Sequence, residues 1–438
     1  MDGDAIGLPE FLGLNGFAAP WKLDGMFFER ELEHVELRFS CPRGTRHHCT
    51  ECGVMDQPAH DFLDMVWEHD RFLGYRCFAR VRVPRTRCGH CGAVRRAEVP
   101  WARPGCGFTL SFEALQLRMC RQAPVKSVSD LMGFGDDRLW RVIDHYVPRA
   151  VSLEDPSRVR RIGIDEKSIK KGHKYMTVFI DFDDCRVIYM CEGRGSDTIA
   201  RFVEHLEAHG GSRHSIERAC IDMSPAYISG MAKHLPGAKA VFDKFHVVQL
   251  ANRAMEAVRR LERQDGVEDL NRTRWLWLMD GDDLSPEQVA LVAALVRKRL
   301  KTARAFMIKE ALRAILSNLH LSRAEANAAL CKWLAWAQRS RLESFVELGR
   351  TVKKHLEGIL AIFESGGMSN GPLEAINGLI HVALGRARGF RNLGYLMNVV
   401  YLVAGKLHHL PPSPWGTAPY DRSATWSRVL FDPVPAAR

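Results

Sequence analysis

The sequence predicts an α/β chain in which a sheet-forming domain is interrupted by an all-helical segment and preceded by two small modules. Three observations carry this. From Arg158 to Phe242, short runs rich in β-branched residues alternate with helical patterns. From Val247 to Glu364 the pattern is almost wholly helical. Ahead of both stand two Cys-x-x-Cys-Gly knuckles, beginning at Cys49 and Cys88.

The bulk numbers set bounds. At 438 residues the chain is expected to hold more than one domain, because domains cluster at about 100–200 residues. Lys and Arg number 62 against 52 Asp and Glu, a formal charge of +10 with a pI near 9.1, which favours a polyanionic partner such as nucleic acid. No stretch approaches the ~18–20 apolar residues of a membrane span, and the nearest, Leu396 to Val403, is short and followed by Lys406. Met1-Asp2-Gly3-Asp4 is acidic where a signal peptide is basic, so the expected location is the cytoplasm. In that reducing compartment clustered cysteines, among the 12 present, read as metal ligands and not as disulfides.

Cys49-Thr50-Glu51-Cys52-Gly53 and Cys88-Gly89-His90-Cys91-Gly92 can each wrap two thiolates around one ion, the glycine permitting the tight turn. Together Cys49, Cys52, Cys88 and Cys91 are the expected ligands of one structural Zn2+. The interval between the pairs exceeds the ~15–20 residues of a short ribbon. It contains the alternating Arg80-Val81-Arg82-Val83, so a hairpin is expected to carry the second knuckle back. Cys41, Cys77, Cys106, His47, His48 and His90 are close enough in sequence to substitute as ligands. A module this small is expected to have little core, leaving most of its folding free energy, roughly 10 kcal/mol or more, to the metal.

Phe112, Leu115 and Met119 then recur at helical spacing. After Pro124 a short helix, the turn Gly133-Phe134-Gly135 and a second amphipathic helix (Leu139, Val142, Ile143, Tyr146) predict a helix-turn-helix. Its second helix would enter the major groove of double-stranded DNA with Arg138, Trp140, Arg141 and His145 outward. A plain helical hairpin is the alternative.

In the sheet-forming region, Arg161–Ile164 leads into Asp165 and Arg218–Ile221 leads into Asp222. Tyr175–Ile180 and Arg186–Met190 form a hairpin between them, with Asp183-Asp184 in the turn, and Ala240–Phe242 ends at Asp243-Lys244-Phe245-His246. Three antiparallel strands followed by strand–helix units describe an RNase H-like fold. In it the first and fourth strands are neighbours, which would bring Asp165 and Asp222 together at their C-terminal ends. Asp243 and His246 are expected behind them, orienting a ligand.

The helical segment carries two capping boxes, Ser285–Gln288 and Ser322–Glu325. Its Trp275, Trp277, Trp333 and Trp336 are expected in its core. Beyond it, Pro372 to Arg388 reads as a helix whose Glu374, Asn377, His381 and Arg388 share one stripe. Three carboxylates, Asp165, Asp222 and Glu374, repel one another unless cations lie between them. Hard divalent ions that accept oxygen ligands fit, and the expected chemistry is two-metal phosphoryl transfer on a nucleic-acid backbone. No GxxxxGK loop is present, so nucleotide hydrolysis is not indicated.

These motifs together, namely Val83–Cys88, Val99–Arg103, Gly163–Glu166, Ile221–Tyr227, Phe242–His246 and Ser369–Asn377, make the chain resemble the zinc-ribbon insertion-sequence transposases of the ISL-three type, within the DDE superfamily. The resemblance runs from about Cys49 to Leu407. It implies Asp165, Asp222 and Glu374 as catalytic acids holding two Mg2+ ions, with Mn2+ able to substitute. It also implies an N-terminal region that recognises terminal inverted repeats, and a helical insertion between the second and third acids. Arg386, Arg388 and Arg391 join the expected DNA contacts, and a homodimer or higher homo-oligomer on DNA is expected beside the nucleoid. The family often has basic residues where Leu379 and His381 stand.

The expected layout is an N-terminal segment at 1–40, a zinc ribbon at 41–100, a helix-turn-helix at 101–152, the RNase H-like domain at 158–247 and 366–410, a helical insertion at 248–365 and a tail at 411–438. Competing readings are a non-transposing RNase H-like nuclease and a domesticated sequence-specific DNA-binding protein.

Overall fold

Alternation along one long hairpin organises the first part of the chain. In this computed structural model, which describes residues 20–170, 174–365, 368, 371–386 and 392–411, the described residues divide into two units, 20–150 with 409–411 and those within 151–408. In the first unit β3 (Ala59–Phe72) and β4 (Tyr75–Arg87) pair antiparallel from Ala59↔Thr86 to Phe72↔Tyr75. Leu73 and Gly74 turn the corner with φ of 51° and 87°, the doubly positive turn that suits the twist of a two-residue hairpin. β3 begins just after the first Cys knuckle and β4 stops immediately before Cys88. The long interval between the knuckles is therefore a hairpin that leaves and returns to the same end.

β1 (Lys22–Glu29) and β2 (His34–Ser40) extend this sheet, β2 lying parallel to β4, and β5 (Val94–Arg96) pairs on β4 to complete five strands. Cys77, Ala79, Val81 and Val83 of β4 point inward, while Arg80 and Arg82 point out. Inside, Trp101 stacks on Phe39 at 5.4 Å and meets Trp21 and Trp67 edge-on at 5.3 and 6.0 Å. Each buried aromatic of this kind contributes about 2–3 kcal/mol. This differs from the expectation of a ribbon beginning at residue 41 with little core. Strands from Lys22 onward join the same sheet, and the metal is not left to fold the module alone.

α1 (Leu110–Gln122), α2 (Val125–Met132) and α3 (Asp136–Leu153) follow. Thr109 caps α1, and Gly133 ends α2 in the left-handed region, φ 75°, before the turn into α3. Leu139, Val142, Ile143 and Val147 form the buried stripe of α3. Glu113 of α1 is fully buried yet satisfied, accepting from Arg103, Cys106 and the Tyr146 hydroxyl.

The second unit is built on a sheet of order β10-β9-β6-β7-β8: β6 (Arg161–Lys170), β7 (Lys174–Asp181), β8 (Arg186–Glu192), β9 (Arg218–Ile221) and β10 (Lys239–Phe242). The first three strands are antiparallel, and β9 and β10 are parallel to β6. β6 does not end at Asp165 as expected. It leaves β9 at Gly163↔Cys220 but stays paired with β7 on its other edge, so Asp165 sits mid-strand where its neighbour stops.

α4 (Asp197–Ala208) packs on the sheet through Phe202, stacked 4.4 Å from Phe179, and α5 (Pro225–His234) links β9 to β10. Between β10 and α13 (Gly371–Arg386) the chain is helical: α6 (Lys244–Gln264), α7 (Arg274–Leu278), α8 (Pro286–Arg297), α9 (Lys301–Ser317), α10 (Arg323–Arg339), α11 (Glu343–Lys354) and α12 (Leu356–Glu364). Both expected capping boxes are present. Trp277 and Trp333 are in the core and Trp336 is half-buried, but Trp275 is 69% exposed, because α7 is too short to bury both of its tryptophans. α14 (Leu393–Ala404) follows α13, and no helix among the described residues is long and apolar enough to cross a membrane.

Gly163 sets how closely α13 approaches β6. A Cβ there would lie 2.6 Å from Leu373 Cδ1 and 2.7 Å from both Ile180 Cγ1 and Phe182 Cε2. Gly163→Ala is therefore expected to overpack the junction and cost about 1–3 kcal/mol. Thermal denaturation followed by circular dichroism checks this, and an unchanged midpoint would show that α13 can step back freely.

Candidate active site and metal centre

Strand register builds the first cluster. β6 and β9 pair from Arg161↔Arg218 to Gly163↔Cys220, and β9 pairs with β10 from Arg218↔Lys239 to Ile221↔Phe242. Carried forward, the same register puts Asp165, Asp222 and Asp243 on one rung across three parallel strands. Each carboxylate is held by a backbone N–H: Asp165 Oδ1 accepts from Glu166, Asp222 Oδ1 from Ser224 and Asp243 Oδ1 from Phe245, each at 2.8 Å. Asp243 is thereby the N-cap of α6. His246 Nε2 stands 3.8 Å from its other oxygen and also acts electrostatically on Asp222, so this imidazole lies beside the rung.

α13 closes the site from the far end of the chain. Asn377 Nδ2 donates to Asp165 Oδ2 at 2.8 Å, and Glu374, exposed in the first turn of α13, lies one turn ahead of Asn377 on the same face. His381 is exposed further along. The Arg386 side chain, Arg388 and Arg391 lie outside what is described.

Two carboxyls here are raised, first of all by burial. Burial pushes the Asp222 carboxyl above its usual range and the Asp165 charge adds to this, with His246 pulling the other way. Burial likewise raises Glu166, next to Asp165 on β6, and Asp222 and Asp165 add to it. Among the described residues only the four cysteines bring three or more such ligand atoms within 4.8 Å of one another.

Residue-type reasoning missed Lys167, whose Nζ lies 3.0 Å from Asp165 Oδ2. It also missed the buried Tyr227, whose hydroxyl meets Thr177 Oγ1 at 3.1 Å and ties α5 to β7 beneath the acids. The signal for Lys167 was available: two residues along a strand returns to the same face.

The four knuckle cysteines form the second cluster. Cys49 Sγ is 3.7 Å from Cys91 Sγ, and Cys52 Sγ is 3.6 Å from Cys88 Sγ. A tetrahedron with metal–sulfur bonds of about 2.3 Å has edges of about 3.8 Å, so the donor set fits a four-coordinate ion. The knuckles repeat one local design. Cys49 and Cys88 donate their N–H groups to Val54 and Ala93, while Gly53 and Gly92, at φ 75° and 71°, donate back to Cys49 and Cys88. Backbone N–H groups favour thiolates: that of Cys91, with His90, helps bring Cys88 down to about 6, and those of Cys52 and Glu51 lower Cys49. Of the possible substitutes, Cys77 is in the hydrophobic core, Cys106 bonds to Glu113, and Cys41 lies 3.9 Å from His47 Nε2. None joins the cluster.

On α3 the expected outward residues divide. Arg138 is turned back: its Nη1 lies 3.1 Å from Glu68, itself only 3% exposed, and its guanidinium covers Phe108 at 4.0 Å. A buried carboxylate demands partners, and Arg138 shares that task with Arg76, whose Nε lies 2.9 Å from the other oxygen of Glu68. Arg141 is exposed and bonds to Asp137 one turn back, His145 meets Arg149 at 3.0 Å, and Trp140 is half-buried.

Comparison with known proteins identifies the family. A family described as transposase matches residues 162–400, more than half of the chain. The helix-turn-helix domain of transposase family ISL3 matches residues 97–147. A transposase for insertion sequence element IS1557 from Mycobacterium tuberculosis is 28% identical over 367 residues, 76% of this chain and 80% of the relative. A transposase for insertion sequence element IS1001 from Bordetella parapertussis is 24% identical over 354 residues, 79% of this chain and 86% of the relative. With a helix-turn-helix ahead of an α/β domain that carries the carboxylate rung, the chain belongs to the ISL3 family of transposases.

Proposed function

We propose that this transposase binds the terminal inverted repeats of its own element and catalyses metal-dependent strand cleavage and strand transfer on an RNase H-like domain. The observation that carries the reading is the rung of Asp165 and Asp222, closed by the helix that holds Glu374 and bonds Asp165 through Asn377. Asp165, Asp222 and Glu374 would hold two Mg2+ ions. When bound, such ions supply Lewis-acid activation of water or a 3′ hydroxyl and neutralise charge at the scissile phosphate. Asp165, central on β6 and oriented by Asn377, is the acid placed to serve both. The raised carboxyls of Asp222 and Glu166, half-buried beside Asp165, support a site built for cations.

Cys49, Cys52, Cys88 and Cys91 would hold a structural Zn2+ at the knuckle end of the hairpin. The sheet module and helix-turn-helix would grip the repeat, with Arg141 the most exposed candidate on α3. Two or more copies would assemble on paired ends, in the cytoplasm.

Replacing Asp165, Asp222 or Glu374 by Ala should lower end cleavage at least about a hundredfold, since each loss forfeits several kcal/mol of charge stabilisation, and leave DNA binding near normal. Cleavage assays beside gel-shift titrations check this; a Glu374→Ala protein cutting at near wild-type rate would remove Glu374 from the site.

In the metal-free protein the raised Asp222 acid costs stability when ionised. Its folded-state pKa lies above the unfolded one, so stability is fullest at acid pH and falls as pH rises through the folded value. Asp222→Asn should therefore be more stable than the parent at neutral pH in chelator, with the advantage shrinking toward pH 4. Melting curves across that range decide it; an advantage independent of pH would deny that the cost comes from burying the ionised carboxylate.

Stripping zinc, or Cys88→Ser, should free both knuckles and weaken repeat binding at least about tenfold while the tryptophan core of the sheet persists, because that core does not depend on the metal. Metal analysis with fluorescence and binding before and after chelation reads both parts. Unchanged binding by stripped protein would refute the role.

A further inference from the structure

The two oxygens of Asp165 are treated differently. Oδ1 takes the Glu166 N–H at 2.8 Å, a contact internal to the strand. Oδ2, on the side of α13, takes two side-chain donors, the neutral amide of Asn377 at 2.8 Å and the ammonium of Lys167 at 3.0 Å. A carboxylate offers about four acceptor positions, and three are in use. The Lys167 and Asp165 side chains are only 25% and 18% exposed, so water screens the pair less than it screens a surface ion pair. Lys167 reaches Asp165 with no loop or helix in between, since strand alternation alone returns it to the same face. Another cation of this region, Arg194, stacks on Tyr175 at 4.2 Å and acts on Glu166 instead.

Resting on the reading of the rung as a divalent-metal site, we infer that Lys167 is its internal counter-ion, a positioning residue that competes with the metal for Asp165 Oδ2. An ion binding at that oxygen must displace the ammonium, whereas the amide of Asn377 carries no charge and can keep the carboxylate aimed throughout. The protein thus holds its first acid neutralised until a divalent ion replaces the lysine. The displaced ammonium stays beside the rung, where it suits a phosphate oxygen of a bound strand.

Mn2+ binding to the full-length, DNA-free protein, followed by electron paramagnetic resonance of the free ion, tests this without reference to turnover. Lys167→Met should bind Mn2+ about three- to tenfold more tightly than the parent, the loss of one partly buried ion pair. Lys167→Arg, which keeps the charge, should stay within about twofold of the parent. Arg194→Met, which removes a nearby cation not in contact with Asp165, should also change affinity by less than about twofold. Unchanged or weaker binding by Lys167→Met overturns the inference, and so does equal tightening by Arg194→Met, which would reduce the effect to long-range charge. Asp165→Asn separates the two levels. If it binds Mn2+ as tightly as the parent, the metal-site reading itself fails; if its binding is lost while Lys167→Met equals the parent, only the counter-ion role fails.

Discussion

Parallel register between three short strands is the constraint on which the rest of this molecule depends. β9 and β10 offer only four residues each, yet their offsets from β6 bring Asp165, Asp222 and Asp243 level. A slip of one residue would turn a carboxylate to the opposite face and replace it with Ile221 or Ile164. The register is secured from outside the rung. Ile162, Ile164, Ala219, Cys220 and Val241 are buried with almost no exposure, and the backbone of Asp243 bonds to Ile221. Apolar burial therefore fixes where charge is concentrated, and the folding energy of the sheet offsets the repulsion among the acids.

Much of this was legible beforehand, for identifiable reasons. Apolar runs ending in Asp165 and Asp222 were visible because parallel strands buried on both faces read as unbroken hydrophobic stretches. The capping boxes at Ser285 and Ser322 were visible because a cap is a local bargain between neighbouring residues. The four cysteines are brought together as their spacing suggested, and glycine ends each knuckle because positive φ is required there. The acid roles, by contrast, rest on placement alone.

What was not legible depended on partners distant in sequence. The N-terminal strands were invisible because β1 is an edge strand whose Met26, Phe27 and Phe28 stay largely exposed, so no amphipathic alternation marks it. The continuation of β6 past Asp165 depends on β7 alone. Arg138 looked like a DNA contact because nothing nearby in sequence announces Glu68 as a buried carboxylate in need of a cation. Trp275 looked like core because composition does not say that α7 stops after five residues. In each case tertiary pairing overrode a sound local reading.

The bond between Asn377 and Asp165 joins residues 212 apart in sequence. Everything from β7 to α12 must be made before α13 can reach β6, and compaction of the intervening domain lowers the entropic cost of closing so long an excursion. During synthesis the sheet and its two aspartates emerge first, and the helix bearing Glu374 arrives near the end. A chain interrupted anywhere before Gly371 thus carries the aspartates of the rung without Asn377, and the order of translation itself withholds the amide that aims Asp165 from unfinished protein.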